Sequence, residues 1–419
     1  MTRTRTSGSV DAVLRRPIGS LKPPKELPLS FLSSRRGTGR TALASLVLGA
    51  MIAIAAPAVA GAQNLDIVAD GLSNPRGLSF GPDGNLYVAE AGRGGSGACI
   101  ASPEGGESCY GATGGITRIN VRRDTEQQII SRLPSLASQE AAEGMPAGSN
   151  AIGPQDVSFN NRWGYFTVGL GANPDARSQL GSNGRRFGLL NRFDRKRKVS
   201  RVADIAAYEA KNNPDASQPD AQVDSNPFSV DASASNRILV TDAGGNSLLR
   251  VRRTGEIRTL AWFPFGQTLA PPFLGLPPGT QIPYQSVPTG VVRGPDGAAH
   301  LGQLTGFPFP AGAANVFRVV GAETPSVQAT GFTTVVDVAY GPDGSFYVLQ
   351  ISSNGLAAQP PGPGKLLRID DDGTQTELAA GRLQEPTGLT VARNGDIYVS
   401  NQGGSPNDGQ VVRIPAPED

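Results

Sequence analysis

The sequence predicts an all-β fold, a six-bladed β-propeller whose last blade is closed by the N-terminal strand. Three observations carry this prediction. A hairpin motif recurs six times, further strand-like runs follow each copy, and the sixth copy lacks a fourth strand while a matching run stands alone before the first copy. Radial repetition of four-stranded units leaves only short, protected edges.

The hairpin is most regular in "GLSFGPDGNLYVAEAG" (77–92), "VVRGPDGAAHLGQLTG" (291–306) and "DVAYGPDGSFYVLQIS" (337–352). In the Gly-Pro-Asp-Gly turn, Pro presets φ, Asp suits the third position and the second Gly accepts positive φ. Leu78 and Phe80 before the turn, and Leu86 and Val88 after it, alternate with the period of a half-buried strand. Asp83, Asp296 and Asp343 are therefore expected to shape turns rather than bind metal.

Aligned on this hairpin, the six copies begin at Asn74, Gly153, Asn226, Val287, Thr334 and Glu385. A third strand follows in "GGITRINV", "GLLNRFD", "SLLRVRR", "ANVFRVV", "GKLLRID" and "GQVVRIP". A fourth follows in five copies: "EQQIISRL", "VSRVADI", "EIRTLAWF", "SVQATGF" and "QTELAAGRL". The sixth copy ends at "VVRIPAPED", and "LDIVADGL" (65–72) resembles "TELAAGRL" (376–383), so the first strand is expected to complete the last blade.

Composition agrees. The 419 residues include 54 Gly and 34 Pro, rich in turn chemistry, and carry a formal net charge of +2. That small basic excess, without an aromatic–basic motif, excludes a typical nucleic-acid binder. Residues 1–62 read as a basic leader and secretory signal. "SSRRGTGR" precedes the apolar run "TALASLVLGAMIAIAAPAVAGAQ", with Ala58-Val59-Ala60 or Ala60-Gly61-Ala62 as the cleavage motif. An uncleaved anchor is the alternative. Residues 63–419 form the propeller, and the expected location is extracytoplasmic, periplasmic or secreted, with no membrane span after cleavage. The only two cysteines, Cys99 and Cys109, share one Gly-rich loop and are expected to pair in an oxidising compartment.

The repeat resembles the NHL and SMP-30/gluconolactonase-type six-bladed propellers. The exported chain as a whole most resembles the ScyD/ScyE family, on "DGLSNPRGLSFGPDGNLYVAEAG", "GPQDVSF" and "EPTGLTVARNGDIYVSNQGG". That resemblance implies an exported propeller without a defined reaction.

Strand order separates two faces. First and second strands join at the GPDG turn, and third and fourth at short polar turns, so the remaining connections open on the opposite face. Those are long: 93–115, 137–153, 172–187, 208–226 and 264–287. Long loops on a rigid scaffold are where binding sites lie. The position after each second strand reads Glu90, Gly169, Asp242, Gln303, Gln350 and Asn401, and these are expected to converge at the channel mouth. Asp156 and Asp337 begin the first strands of opposed blades two and five at the same mouth. Glu90, Asp156, Asp242 and Asp337 could together hold calcium or another divalent cation through oxygen ligands, as lactonase-like propellers do, or line a water-filled mouth. Gly169 leaves one seat empty.

His300, the only histidine, aligns with Tyr87, Tyr347 and Tyr398 and is read as a packing residue; its isolation excludes a histidine-dependent triad. The loops "WFPFGQTLAPPFLGLPPGTQIPYQSV" and "GFPFPAG" bring Phe263, Phe265, Phe273, Tyr284, Phe307 and Phe309 to the same face, as an aromatic wall or as loops packed on themselves. The leading reading is an exported, monomeric binding propeller recognising a small organic ligand or an extracellular partner at the long-loop face of the channel. The alternatives are a lactonase- or strictosidine-synthase-like enzyme using a central divalent cation, and an extracellular protein-interaction scaffold.

Overall fold

In the computed structural model the described residues are 65–416, apart from 103, 104, 142, 143 and 220. The leader and its cleavage motif lie outside them. The rest forms six antiparallel blades in a ring. From the axis outward, blade one runs Pro75–Phe80, Leu86–Glu90, Glu107–Asn120 and Thr125–Ala137. Blade two runs Pro154–Phe159, Gly164–Val168, Leu189–Phe193 and Val199–Asp204. Blade three runs Pro227–Asp231, Ile238–Asp242, Ser247–Val251 and Ile257–Trp262. Blade four runs Pro288–Arg293, Ala299–Gln303, Ala314–Val319 and Ser326–Phe332, and blade five Val335–Tyr340, Phe346–Gln350, Gly364–Ile369 and Gln375–Leu383. Each innermost strand touches its two neighbours round the ring, including blade six against blade one.

Blade six combines the two ends of the described chain: Gly388–Val391, Ile397–Asn401 and Gly409–Ile414, then Asp66–Leu72 as its outer strand. Asp66 pairs with Arg413, Ala69 with Val411 and Leu72 with Gly409. Ala69 and Leu72 are buried with Leu78, Val88, Tyr398 and Val411, so the closing strand supplies core as well as ladder. The Arg413 guanidinium donates to Asp66 Oδ2 at 2.6 Å on the outside.

The GPDG turns behave as their chemistry requires. Gly81 N–H donates to Asn85 O at 2.8 Å and Gly84 takes φ 75°, with Gly297, Gly344 and Gly395 at 80°, 90° and 87°. Asp83, Asp296 and Asp343 each accept a backbone N–H two residues on, from Asn85, Ala298 and Ser345. Asp83 also accepts the Tyr87 hydroxyl at 2.9 Å, which ties the turn to the blade core.

The long connections carry secondary structure of their own. The connection 93–115 holds a short strand, Cys99–Ala101, paired with an extension of the third strand, where Cys99 stands opposite Cys109 and forms a disulfide with it. The connections around blade two carry the helical segments, a 3₁₀ stretch at Pro174–Arg186 and the helix Ile205–Asn212. Asp204 caps that helix by accepting Ala207 N–H at 2.9 Å, and it also receives Arg177 at 2.8 Å. No helix among the described residues is long and apolar enough to cross a membrane.

Candidate functional site

The polar residues that end the second strands lie at the expected face but point into the junctions between blades. In four of the six junctions the linker crosses the mouth with a backbone N–H that no sheet ladder satisfies, and the polar side chain at the strand end accepts it. Glu90 Oε2 accepts Ser73 N–H at 2.9 Å, while Oε1 accepts the Thr117 hydroxyl and, at 3.2 Å, the Gln128 amide. Asp242 accepts Asn226 N–H at 2.6 Å, the Ser225 hydroxyl at 2.8 Å and Gly245 N–H at 3.3 Å. Gln350 accepts Thr333 N–H, and Asn401 accepts Gln384 N–H at 2.7 Å. Gln303 donates to the Ser286 hydroxyl at 3.0 Å and accepts Asn315 N–H at 3.1 Å. Ser73, Ser225, Ser286, Thr333 and Gln384 each immediately precede the first residue of their repeat copy.

In blade two the residue facing Pro154 is Val168, as Glu90 faces Pro75 and Asp242 faces Pro227, so the equivalent seat is Val168 rather than Gly169. A buried valine there offers no acceptor. Gly169 instead donates its N–H to Gly153 O at 2.9 Å.

Asp156 and Asp337 belong to a different ring, formed by the fourth residue of each repeat copy: Gly77, Asp156, Ser229, Gly290, Asp337 and Gly388. Asp156 Oδ2 accepts Val230 N–H at 2.8 Å and the Ser229 hydroxyl at 2.7 Å, both from blade three. Asp337 Oδ2 accepts Leu389 N–H of blade six at 2.7 Å. The preceding blade leaves room in both cases: a Cβ on Gly77 would fall 2.1 Å from Asp156 Oδ1, and one on Gly290 2.1 Å from Asp337 Oδ1. Both side chains keep some solvent contact while protein encloses them, as expected in a narrow channel. Burial pushes the Asp156 carboxyl up to about 7. Asp337 lies well above the ordinary range, through burial and then the charge of Asp156.

The structure adds an acidic group that sequence reasoning missed. Glu209, on the helix Ile205–Asn212, is 1% exposed, and burial together with Asp242, Asp215 and Asp224 pushes its carboxyl up to about 8. Burial also raises Asp215, which accepts the Asn246 amide at 2.9 Å, and Asp224, whose Oδ1 has no hydrogen-bond partner. The Asn213 amide, oriented with its nitrogen toward the acids, spans Asp215 Oδ1 at 2.8 Å and Glu209 Oε1 at 3.0 Å. Burial raises Asp242 itself to about 6. The spaced aspartates of "NNPDASQPDAQVDSN" were the available signal.

A resident divalent cation would compete with donors these oxygens already serve. Glu90 and Asp242 hold junction donors, and Asp156 and Asp337 each hold their own next backbone N–H with Oδ1 and the following blade with Oδ2. Among the described residues no group of three His, Cys, Asp or Glu side chains is placed to hold a metal ion. The Glu90, Asp156, Asp242, Asp337 set does not fit a cation as arranged. His300 is buried, with Nδ1 against Gln328 and Nε2 3.2 Å from Asp296 Oδ1, the packing role expected of it.

The aromatic residues divide. Phe263 is fully buried against Phe317, with centroids 4.9 Å apart, and belongs to the core between blades three and four instead of a loop wall. Phe265 and Tyr284 are half-buried at the base of a separate hairpin, Gly266–Leu269 with Gln281–Tyr284, which pairs with no blade strand. Phe273 at its tip is 66% exposed and lies 6.2 Å from Phe307, itself 48% exposed; Phe309 lies 6.4 Å beyond Phe307. One aromatic row, exposed at Phe273 and Phe307 and half-buried at Phe309, thus links the blade-three and blade-four loops.

No protein-family model matches the chain, and no curated protein matches it either. Solved structures do. A Bacteroides thetaiotaomicron protein of unknown function is 9% identical over 84% of this chain and 76% of its own, with TM-score 0.51. A virginiamycin B lyase from Staphylococcus aureus is 14% identical over 85% of this chain and 89% of its own, with TM-score 0.42. A gluconolactonase from Xanthomonas campestris is 13% identical over 68% of this chain and 80% of its own, with TM-score 0.39. At such identities the likeness speaks to fold alone. The chain is a six-bladed β-propeller with structural neighbours of the gluconolactonase and virginiamycin B lyase type.

Proposed function

We propose that this chain is a binding propeller of ScyD/ScyE type, acting outside the cytoplasm, which takes an apolar organic ligand or partner at its long-loop face. The observation that carries this is the aromatic row Phe273–Phe307–Phe309, built from two loops on the same face as the channel mouth, with Phe273 and Phe307 exposed and Phe309 half-buried behind them. Polar groups at that mouth are committed to holding the blades together, so recognition falls to the apolar surface beside it. The disulfide and the apolar leader support export.

Titration with the uncharged fluorophore N-phenylnaphthylamine tests the reading. Saturable enhancement that weakens several-fold in Phe273→Ala/Phe307→Ala is expected. Equal enhancement in both proteins would remove the reading.

One observation favours an enzyme as the second reading: the Asp156 carboxyl, pushed up to about 7, sits in the range useful for proton transfer. Lactone hydrolysis lost in Asp156→Asn, with an unchanged melting temperature, would put this reading first.

A further inference from the structure

We infer that the hairpin Gly266–Tyr284 docks on a lipid bilayer, its tip entering the interface while the propeller remains in water. This rests on the binding surface proposed above and names its occupant. The argument begins with charge. From Thr259 to Val292 the chain contains no Asp, Glu, Lys or Arg. Within that stretch, residues 272–279 are eight consecutive exposed residues, Pro272, Phe273, Leu274, Gly275, Leu276, Pro277, Pro278 and Gly279, none with a polar side chain.

Exposed apolar side chains are also concentrated there. Trp262, Leu269, Phe273, Leu274, Leu276 and Phe307 all lie between 262 and 307, whereas the other large exposed apolar residues, such as Ile67, Val199 and Val327, sit singly on separate strands. Contiguous apolar surface marks an interaction site, while scattered residues need no explanation. No residue from 264 to 285 is buried, so the tip is not packed into a blade. Prolines at 271, 272, 277, 278 and 283 restrict the backbone, which lowers the entropy lost on docking.

The choice of lipid rests on shape, size and composition. A small-molecule site is concave and encloses its ligand, but this surface is the free end of a two-stranded projection. The exposed apolar side chains offer on the order of 500 Å², less than the roughly 800 Å² each partner buries in a stable protein complex. Protein interfaces also carry a polar rim round their apolar core, whereas residues 272–279 carry no polar side chain at all. Tyr284 closes the base of the hairpin opposite Gly266, and Trp262 ends the blade-three strand that leads into it, with Leu269, Leu274 and Leu276 toward the tip. Aromatic residues of these two types favour the headgroup level of a membrane, with aliphatic groups deeper. The hairpin strands, Gly266–Leu269 and Gln281–Tyr284, are four residues each, well short of the roughly nine to eleven a spanning strand needs, so the contact is interfacial.

The test uses the full chain with phosphatidylcholine vesicles whose acyl chains carry bromine, a contact quencher of tryptophan. The two tryptophans are Trp163 and Trp262, so a quench lost in Trp262→Phe reports the hairpin independently of any vesicle contact by the apolar leader. Quenching of Trp262 is expected, with partition weakened at least about tenfold in Phe273→Asp/Leu276→Asp at unchanged melting temperature. Retention on vesicles without Trp262 quenching, or quenching unaffected by that double substitution, would overturn the inference. Dye binding that depends on Phe273 and Phe307 in a protein that ignores vesicles would overturn the lipid assignment and leave the apolar binding surface standing. If those substitutions alter neither dye nor vesicle binding, both fail together.

Discussion

Asp156 and Asp337 occupy equivalent positions on opposed blades, and each hands an acceptor to the blade that follows it: Asp156 to Val230 N–H at 2.8 Å and Asp337 to Leu389 N–H at 2.7 Å. Two acids thus act as links in the inner ring while resisting ionisation.

That resistance sets a pH dependence. Both carboxyls hold a proton more tightly in the folded ring than in the unfolded chain. Their stabilising contribution is full below 3.8, the ordinary aspartate value, and is lost as pH rises through about 7 for Asp156. Glu209 extends the loss to about 8. The melting temperature should therefore fall between about pH 5 and about pH 8. Glu209→Gln should recover about 1 kcal/mol at the upper end and almost nothing at the lower. A melting temperature that climbs steadily across this range would contradict the assignment.

Junction acceptors should behave as structural parts. Asp242→Ala strands Asn226 N–H and the Ser225 hydroxyl and should cost about 2–3 kcal/mol in denaturant unfolding. Asp242→Asn, which keeps an acceptor and removes the charge that most raises Glu209, should cost much less. Calorimetric titration with calcium should give the same trace for native protein and for Glu90→Gln/Asp242→Asn. Micromolar one-to-one binding lost in that double variant would restore the cation.

Ring closure depends on the strand Asp66–Leu72. Deleting it uncovers Val411 and Tyr398 and leaves one edge of Gly409–Ile414 without its ladder. Loss of more than about 3 kcal/mol, or loss of cooperative unfolding, is expected. Unchanged unfolding of the truncated chain would show that the strand is dispensable.

The Cys99–Cys109 bond closes a short loop on an extension beyond the blade. Its removal in Cys99→Ser/Cys109→Ser should cost at most about 3 kcal/mol and speed protease cleavage between 93 and 113 while the propeller core melts nearly as before. A large fall in the melting temperature of the whole ring would place the bond among its main supports.

Blade number, strand order and closure by residues 65–72 were legible in the sequence alone, because each depends on contiguous residues. Alternation at Leu78, Phe80, Leu86 and Val88 makes strands, Gly84 makes the turn, and the unpaired "LDIVADGL" identifies the missing piece. The aspect of each strand end was decided only in three dimensions. Trp262 and Phe263 are neighbours, yet one is exposed and the other fully buried. The blade-two hairpin is one residue shorter between its paired ends, Pro154 to Val168 against Pro75 to Glu90, and the pairing therefore sets Val168, rather than Gly169, opposite Pro154. Glu90, Asp242, Gln350 and Asn401 share a position that reads as a ligand ring, but twisted strands and crossing linkers bring unpaired N–H groups against them first. Glu209 joins Asp242 across different elements of the chain, at no spacing a motif could record. Local periodicity specifies which strands form, whereas the destination of a polar side chain depends on which unsatisfied group the assembled ring places within its reach.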